Sequence, residues 1–185
     1  MTAAGTRPSI LYLAPALLER RLYDPIRGVQ IFDLHNIAGL CRLGHRITLP
    51  AESTWRDRLT KWFHAQSGID DRLEFIWTPS LRKPMQNSIA ALVSLCLKRA
   101  RFDSLVIGNV SKGLAPAIDL IRTLKFAPHA VVIAHKGLNA GAAPALRRFK
   151  ADIVAVNQRI ADEFADWPTS TGVPSTPRYG VPHTK

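Results

Sequence analysis

Acidic residues are scarce: 14 Asp and Glu stand against 25 Lys and Arg, for a net charge of +11. That imbalance draws anionic partners (nucleic acid, anionic lipid, phosphorylated substrates) without choosing among them. There are two cysteines, Cys41 and Cys96, in no metal or redox spacing, so a disulfide framework and a cysteine-based metal site are both excluded. Both fall in apolar helical patterns and are expected to be buried, which suits a reducing cytoplasm. No apolar run approaches the ~18 residues that span a bilayer, so contact with a membrane would be peripheral, at its inner face. The dinucleotide fingerprint GxGxxG is missing after the first apolar run and there is no Walker P-loop, which excludes the usual nicotinamide and NTP sites. No His pair has metal-ligand spacing supported by Asp, Glu or Cys, so no metal or bound cofactor is expected.

What is present is an alternation of strand-like and helix-like segments over 185 residues, enough for one core. Hydrophobic residues make up 46% of the chain, a globular composition. Ile10 to Ala14 is a short apolar run of the type buried on both faces of a parallel sheet; Tyr12, Pro15 and Glu19-Arg20-Arg21 argue against a signal peptide there. Further strands are expected at Ile47–Leu49, Leu73–Trp77, Leu105–Gly108, Ala130–Ala134 and Ile153–Val156. Helices are expected from Ile31 to Cys41, stopped by Gly44, from Thr54 to Phe63, from a cap at Asn87 or Ser88 to Leu97, from Leu114 to Leu124, from Pro144 to Phe149 and from Gln158 to Trp167. Single helices between strands require parallel crossovers, hence an α/β fold with a doubly wound, mainly parallel, Rossmann-like sheet. The domain spans 1–167; residues 168–185, rich in Pro, Ser and Thr, form a linker or tail.

In such a sheet ligands collect beyond the carboxyl ends of the strands. Gly28 opens a helix after the first strand, and its backbone N–H groups with Arg27 suit a phosphate, although a plain turn glycine reads the same. Asn109 and Lys112 follow the fourth strand, and His135 with Lys136 follows the fifth. A histidine at a strand tip can exchange a proton with a substrate hydroxyl or serve structurally. The segment from Thr54 to Phe63 puts Trp55, Leu59, Trp62 and Phe63 on one helical face beside Arg56 and Lys61. That pattern fits a membrane-facing helix on anionic lipid, but most apolar helix faces are core, which favours a helix packed on its own domain.

The order of these signals resembles the N-terminal, acceptor-side domain of family-four-like GT-B glycosyltransferases. Gly28 before a helix, Leu40-x-x-x-Gly44-His45-Arg46-Ile47-Thr48-Leu49, the strand ending in His135, Asp152 to Gln158, and Tyr179-Gly180-Val181-Pro182 carry the likeness, from about Ser9 to Pro182. The resemblance implies an acceptor-binding half of a retaining enzyme that uses a nucleotide-sugar as co-substrate, with His135 as the catalytic cleft histidine. Gly28 would lie near the donor phosphates or acceptor. It also implies an anionic or lipid-linked acceptor, and a donor-binding domain or partner chain carrying two glutamates at i and i+8. The four glutamates here, Glu19, Glu52, Glu74 and Glu163, have no such spacing. The resemblance also departs at Val29, where a second glycine is common, and at Lys136, where an acidic or small polar residue is usual. The other readings are a non-catalytic binding or regulatory domain of the same fold, and nucleic-acid binding, for which no recognised module is present.

Overall fold

A computed structural model describes residues 8–19, 28–81, 84–108, 114–134, 141–156, 158–164 and 167. Six strands, β1 (Ser9–Leu13), β2 (Arg46–Glu52), β3 (Leu73–Thr78), β4 (Ser104–Gly108), β5 (His129–Ala134) and β6 (Asp152–Ala155), form one sheet in the order β3-β2-β1-β4-β5-β6. Every pair is parallel. The doubly wound, Rossmann-like α/β fold expected from the alternation is therefore the fold observed, and the topological switch falls between β1 and β4.

Among the described residues six α-helices connect or follow the strands: α1 (Val29–Arg42), α2 (Arg56–His64), α3 (Pro84–Leu97), α4 (Ala115–Thr123), α5 (Ala143–Phe149) and α6 (Gln158–Glu163). Alternate strand residues feed two cores, as the two-residue period of a strand demands. Ile10, Tyr12, Leu49 and Val106 pack with Leu34, Ile37, Leu59 and Phe63 of α1 and α2. Leu11, Leu13, Leu105, Ile107 and Val132 pack with α3, α4 and α5 through Leu92, Ile118 and Leu146. β1 is thus buried on both faces, which is why its sequence reads as an unbroken apolar run. Gly44 closes α1 with φ 98°, and His45 N–H donates to the Leu40 carbonyl, closing the helix end as a glycine after the last turn permits.

Three expectations need correction. Helix α3 starts at Pro84, so Asn87 and Ser88 do not cap it. Buried Asn87 instead donates from Nδ2 to the Leu18 carbonyl at 2.7 Å and accepts the Leu81 N–H at 3.2 Å, joining the loops after β1 and β3. Cys41 is buried, and burial raises its thiol to about 11, but Cys96 is exposed. Helix α3 is apolar around much of its circumference, and the sheet covers only one side. Finally, Trp55, Leu59 and Phe63 are no membrane-facing surface: they are 3%, 0% and 4% exposed, packed against the β1–β2–β3 side of the sheet. Trp55 also donates from Nε1 to the Glu19 carbonyl at 2.9 Å. Trp62 is half-buried, edge-on to both His35 and Phe63. The amphipathic face is core because β2 and β3 supply an apolar surface that it covers. Among the described residues no helix is long and apolar enough to cross a membrane.

Removing the buried Leu59 side chain leaves a cavity the sheet cannot close. Leu59→Ala is expected to lower the unfolding free energy by about 2–5 kcal/mol in denaturant titration. A loss under about 0.5 kcal/mol would place that face outside the core.

Candidate functional site

Parallel strands with helices returning antiparallel to them bring the helix N-termini to the carboxyl end of the sheet. At the switch between β1 and β4, the helix presented is α1, opened by Gly28 as its N-cap. Gly28 has φ 52° and ψ −115°, a conformation that favours glycine, and a Cβ built there would meet nothing within 4 Å. The glycine is therefore required by the turn and not by crowding from the described residues. The first N–H groups of an α-helix lie beyond its own hydrogen-bond ladder, and with the helix dipole such an end is an environment suited to an anion.

Beneath this opening three elements meet at one spot. Tyr12, on β1, donates its hydroxyl hydrogen to Asp33 Oδ1 on α1 at 2.9 Å. Gly108, the last residue of β4, passes so close that an added Cβ would lie 1.9 Å from Asp33 Oδ1 and 2.9 Å from the Tyr12 hydroxyl oxygen. Asp33 is fully buried, and its Oδ2 has no hydrogen-bond partner among the described residues. Asn36 Nδ2, close enough to Tyr12 to act on its acidity, is also unpartnered. Burial pushes the Asp33 carboxyl up to about 7, against the lowering effect of the Tyr12 hydrogen bond. Burial, then the Asp33 charge, push the Tyr12 hydroxyl up, so tyrosine stays the donor. A buried carboxyl that titrates near neutrality with one oxygen uncommitted is suited to accept or return a proton.

At the end of β2, Glu52 is buried as well, but its carboxylate is occupied. It accepts the Thr54 N–H at 3.1 Å and the Thr54 hydroxyl, capping the short helical turn at Ser53–Trp55. Neither cavity of about 400 Å³ found elsewhere lies at the switch. One opens at the amino ends of β1–β3 beside Arg46 and Arg101, the other between α2 and β3 beside Phe75 and Trp77. The latter is lined by rings already stacked on one another at 4.6 Å, with Arg56 over Trp77.

Comparison of the chain with protein-family models, with curated proteins and with solved structures finds no match. The site therefore stands on its own geometry. Of the residues singled out from the sequence, Gly28 is placed at the switch point. Arg27, Asn109, Lys112, His135 and Lys136 lie outside the described residues. The strands that lead to them are placed: β4 borders the switch directly and β5 lies next to β4, inside the sheet. Sequence reasoning missed Tyr12, Asp33 and Gly108. Asp33 on an otherwise apolar helical stripe with Leu34 and Ile37 was the one available signal. Among the described residues there is no cluster of three or more His, Cys, Asp or Glu able to hold a metal.

The pH dependence follows from the raised carboxyl. An unfolded aspartate releases its proton near pH ~3.9, whereas folded Asp33 keeps it to about pH 7. Between these values the folded state binds more protons, so stability falls as pH rises, by at most about 4 kcal/mol in all. Denaturant titrations from acid to neutral pH are expected to show this slope in the wild type and its loss in Asp33→Asn. Tyr12→Phe, which removes the lowering hydrogen bond, should move the upper end of the slope to higher pH. Gly108→Ala is expected to be at least as damaging as a core truncation, about 3 kcal/mol or more, because the new methyl group collides with a buried carboxyl. Wild-type stability for that variant would show the contact to be loose.

Proposed function

We propose that this chain is the acceptor-binding half of a retaining glycosyltransferase that moves a sugar from a nucleotide-sugar, the donor-binding half being a further domain or a partner chain. The observation that carries this reading is the placement of the N-terminus of α1 at the switch point, begun by Gly28 in a glycine-favouring conformation. It supplies N–H donors and a positive dipole end where a phosphorylated or otherwise anionic acceptor would lie. The order of segments that resembles the GT-B acceptor domain supports the same reading, and so does the strand leading into His135, one strand from the switch.

Such a reaction needs a diphosphate leaving group stabilised from both walls of a cleft. One wall, built as here, orients the acceptor. Asp33, buried beneath it, is a carboxyl held by Tyr12, and His135 is the residue assigned to the transferred sugar or acceptor. The missing pair of glutamates i and i+8 favours a second reading, a non-catalytic domain of the same fold that binds without turnover.

Mixing the chain with a donor-binding GT-B half and a labelled nucleotide-sugar separates the two. The first reading predicts label transfer only when both halves are present, and a loss on the order of a hundred-fold or more in His135→Ala with acceptor binding changed little. Absence of transfer with any donor half, with binding indifferent to His135→Ala, leaves the non-catalytic domain.

A further inference from the structure

At the opposite end of the sheet, the end where the helices finish, the structure departs from the least costly choice of residue three times. Among the described residues, the non-glycine residues with positive φ are Arg99 (51°), Lys125 (53°) and Lys150 (55°). Each follows or closes a helix on the same face of the sheet: α3, α4 and α5. Glycine takes this left-handed turn most readily, and α1 on the other face does end in glycine, at Gly44. A cation near a helix C-terminus gains from the dipole, which explains a basic residue somewhere in each last turn. It does not require that residue to occupy the left-handed position itself.

The three helix ends are one surface. Phe102 N–H donates to the Phe126 carbonyl at 2.7 Å, and the Arg101 guanidinium lies 5.6 Å from the Phe126 ring, joining the ends of α3 and α4. Arg148 of α5 is paired with Asp119 of α4, with Nε 3.1 Å from Oδ1. Arg99, Lys125 and Lys150 are all exposed. Beside them runs an apolar stripe: Ile89, Val93 and Leu97 recur every four residues on the outer side of α3, 37%, 51% and 81% exposed. Leu124, next to Lys125, extends it.

We infer that this foot of α3, α4 and α5 is a docking surface for an anionic lipid bilayer, with Leu97 and Val93 entering the interface and Arg99, Lys125 and Lys150 meeting lipid phosphates. Charge complementarity, in a chain of net charge +11, selects an anionic partner. The protruding side chains are aliphatic, which suits acyl chains. A single-stranded nucleic acid would be held instead by exposed aromatic rings for stacking. Docking through this end turns the switch-point opening away from the bilayer. The inference is independent of the proposed sugar transfer.

The test is co-sedimentation of the full chain with vesicles of phosphatidylcholine alone and of phosphatidylcholine mixed with phosphatidylserine. Binding is expected only to the mixed vesicles and is expected to weaken with added salt. The variant Arg99→Gly/Lys125→Gly/Lys150→Gly relieves three left-handed turns, so it should melt no lower than wild type. Its vesicle affinity should nevertheless fall on the order of a hundred-fold, about five-fold per cation near an anionic surface. Val93→Ser/Leu97→Ser changes exposed positions only and should weaken binding at least about ten-fold with an unchanged melt. Three results would overturn the inference: no binding to mixed vesicles, binding that survives either variant, or vesicle binding abolished by duplex DNA that binds the same residues more tightly.

Discussion

Tyr12, Asp33 and Gly108 come from the first strand, the first helix and the fourth strand, and they share one buried spot. The hydroxyl of Tyr12 reaches the carboxyl of Asp33 at 2.9 Å only because β4 ends in a residue with no side chain. That contact fixes how α1 lies on the sheet, and therefore where the opening at Gly28 points. It also maintains an ionisable group in the core, whose partial ionisation near neutrality is a stability burden offset by the packing around it. A buried polar contact that specifies geometry at some loss of stability is the pattern expected near a functional opening, and structural networks can have it as well.

The same topology separates the two ends of the molecule electrostatically. Helices that run back against parallel strands direct their N–H ends toward the carboxyl tips of the strands and their carbonyl ends toward the opposite edge. The sequence answers this with basic residues where the carbonyls gather: Arg42 at the end of α1, Arg122 in α4, Arg147 and Arg148 in α5, and the left-handed Arg99, Lys125 and Lys150. The opening at α1 carries glycine and backbone donors.

Much of this was legible in the residues. β1 and β4 are buried on both faces, and such strands advertise themselves as unbroken apolar runs; Gly44 marks the end of α1 because a side chain is strained at φ 98°. The rest depended on which surfaces meet. Trp55, Leu59 and Phe63 have one periodicity whether they face lipid or a sheet, and only the presence of β2 and β3 beside them decides. Cys96 reads as buried because α3 is apolar on more sides than the sheet can cover, and it is exposed. Asp33 was passed over because a lone acid on a helix is ordinarily solvated. Its significance arises from Tyr12 and Gly108, distant in the chain. Asn87 has the residue type that favours caps, whereas its amide ties two loops together.

We propose that the N-terminus of α1 at the β1–β4 switch recognises the acceptor. Titrating ¹⁵N-labelled chain with a sugar phosphate and following backbone amide resonances tests it directly. The account predicts saturable shifts concentrated at Gly28 to Ile31 and at Gly108. Shifts confined to Arg99, Lys125 and Lys150, or none at phosphate concentrations that saturate ordinary sugar-phosphate sites, would contradict it.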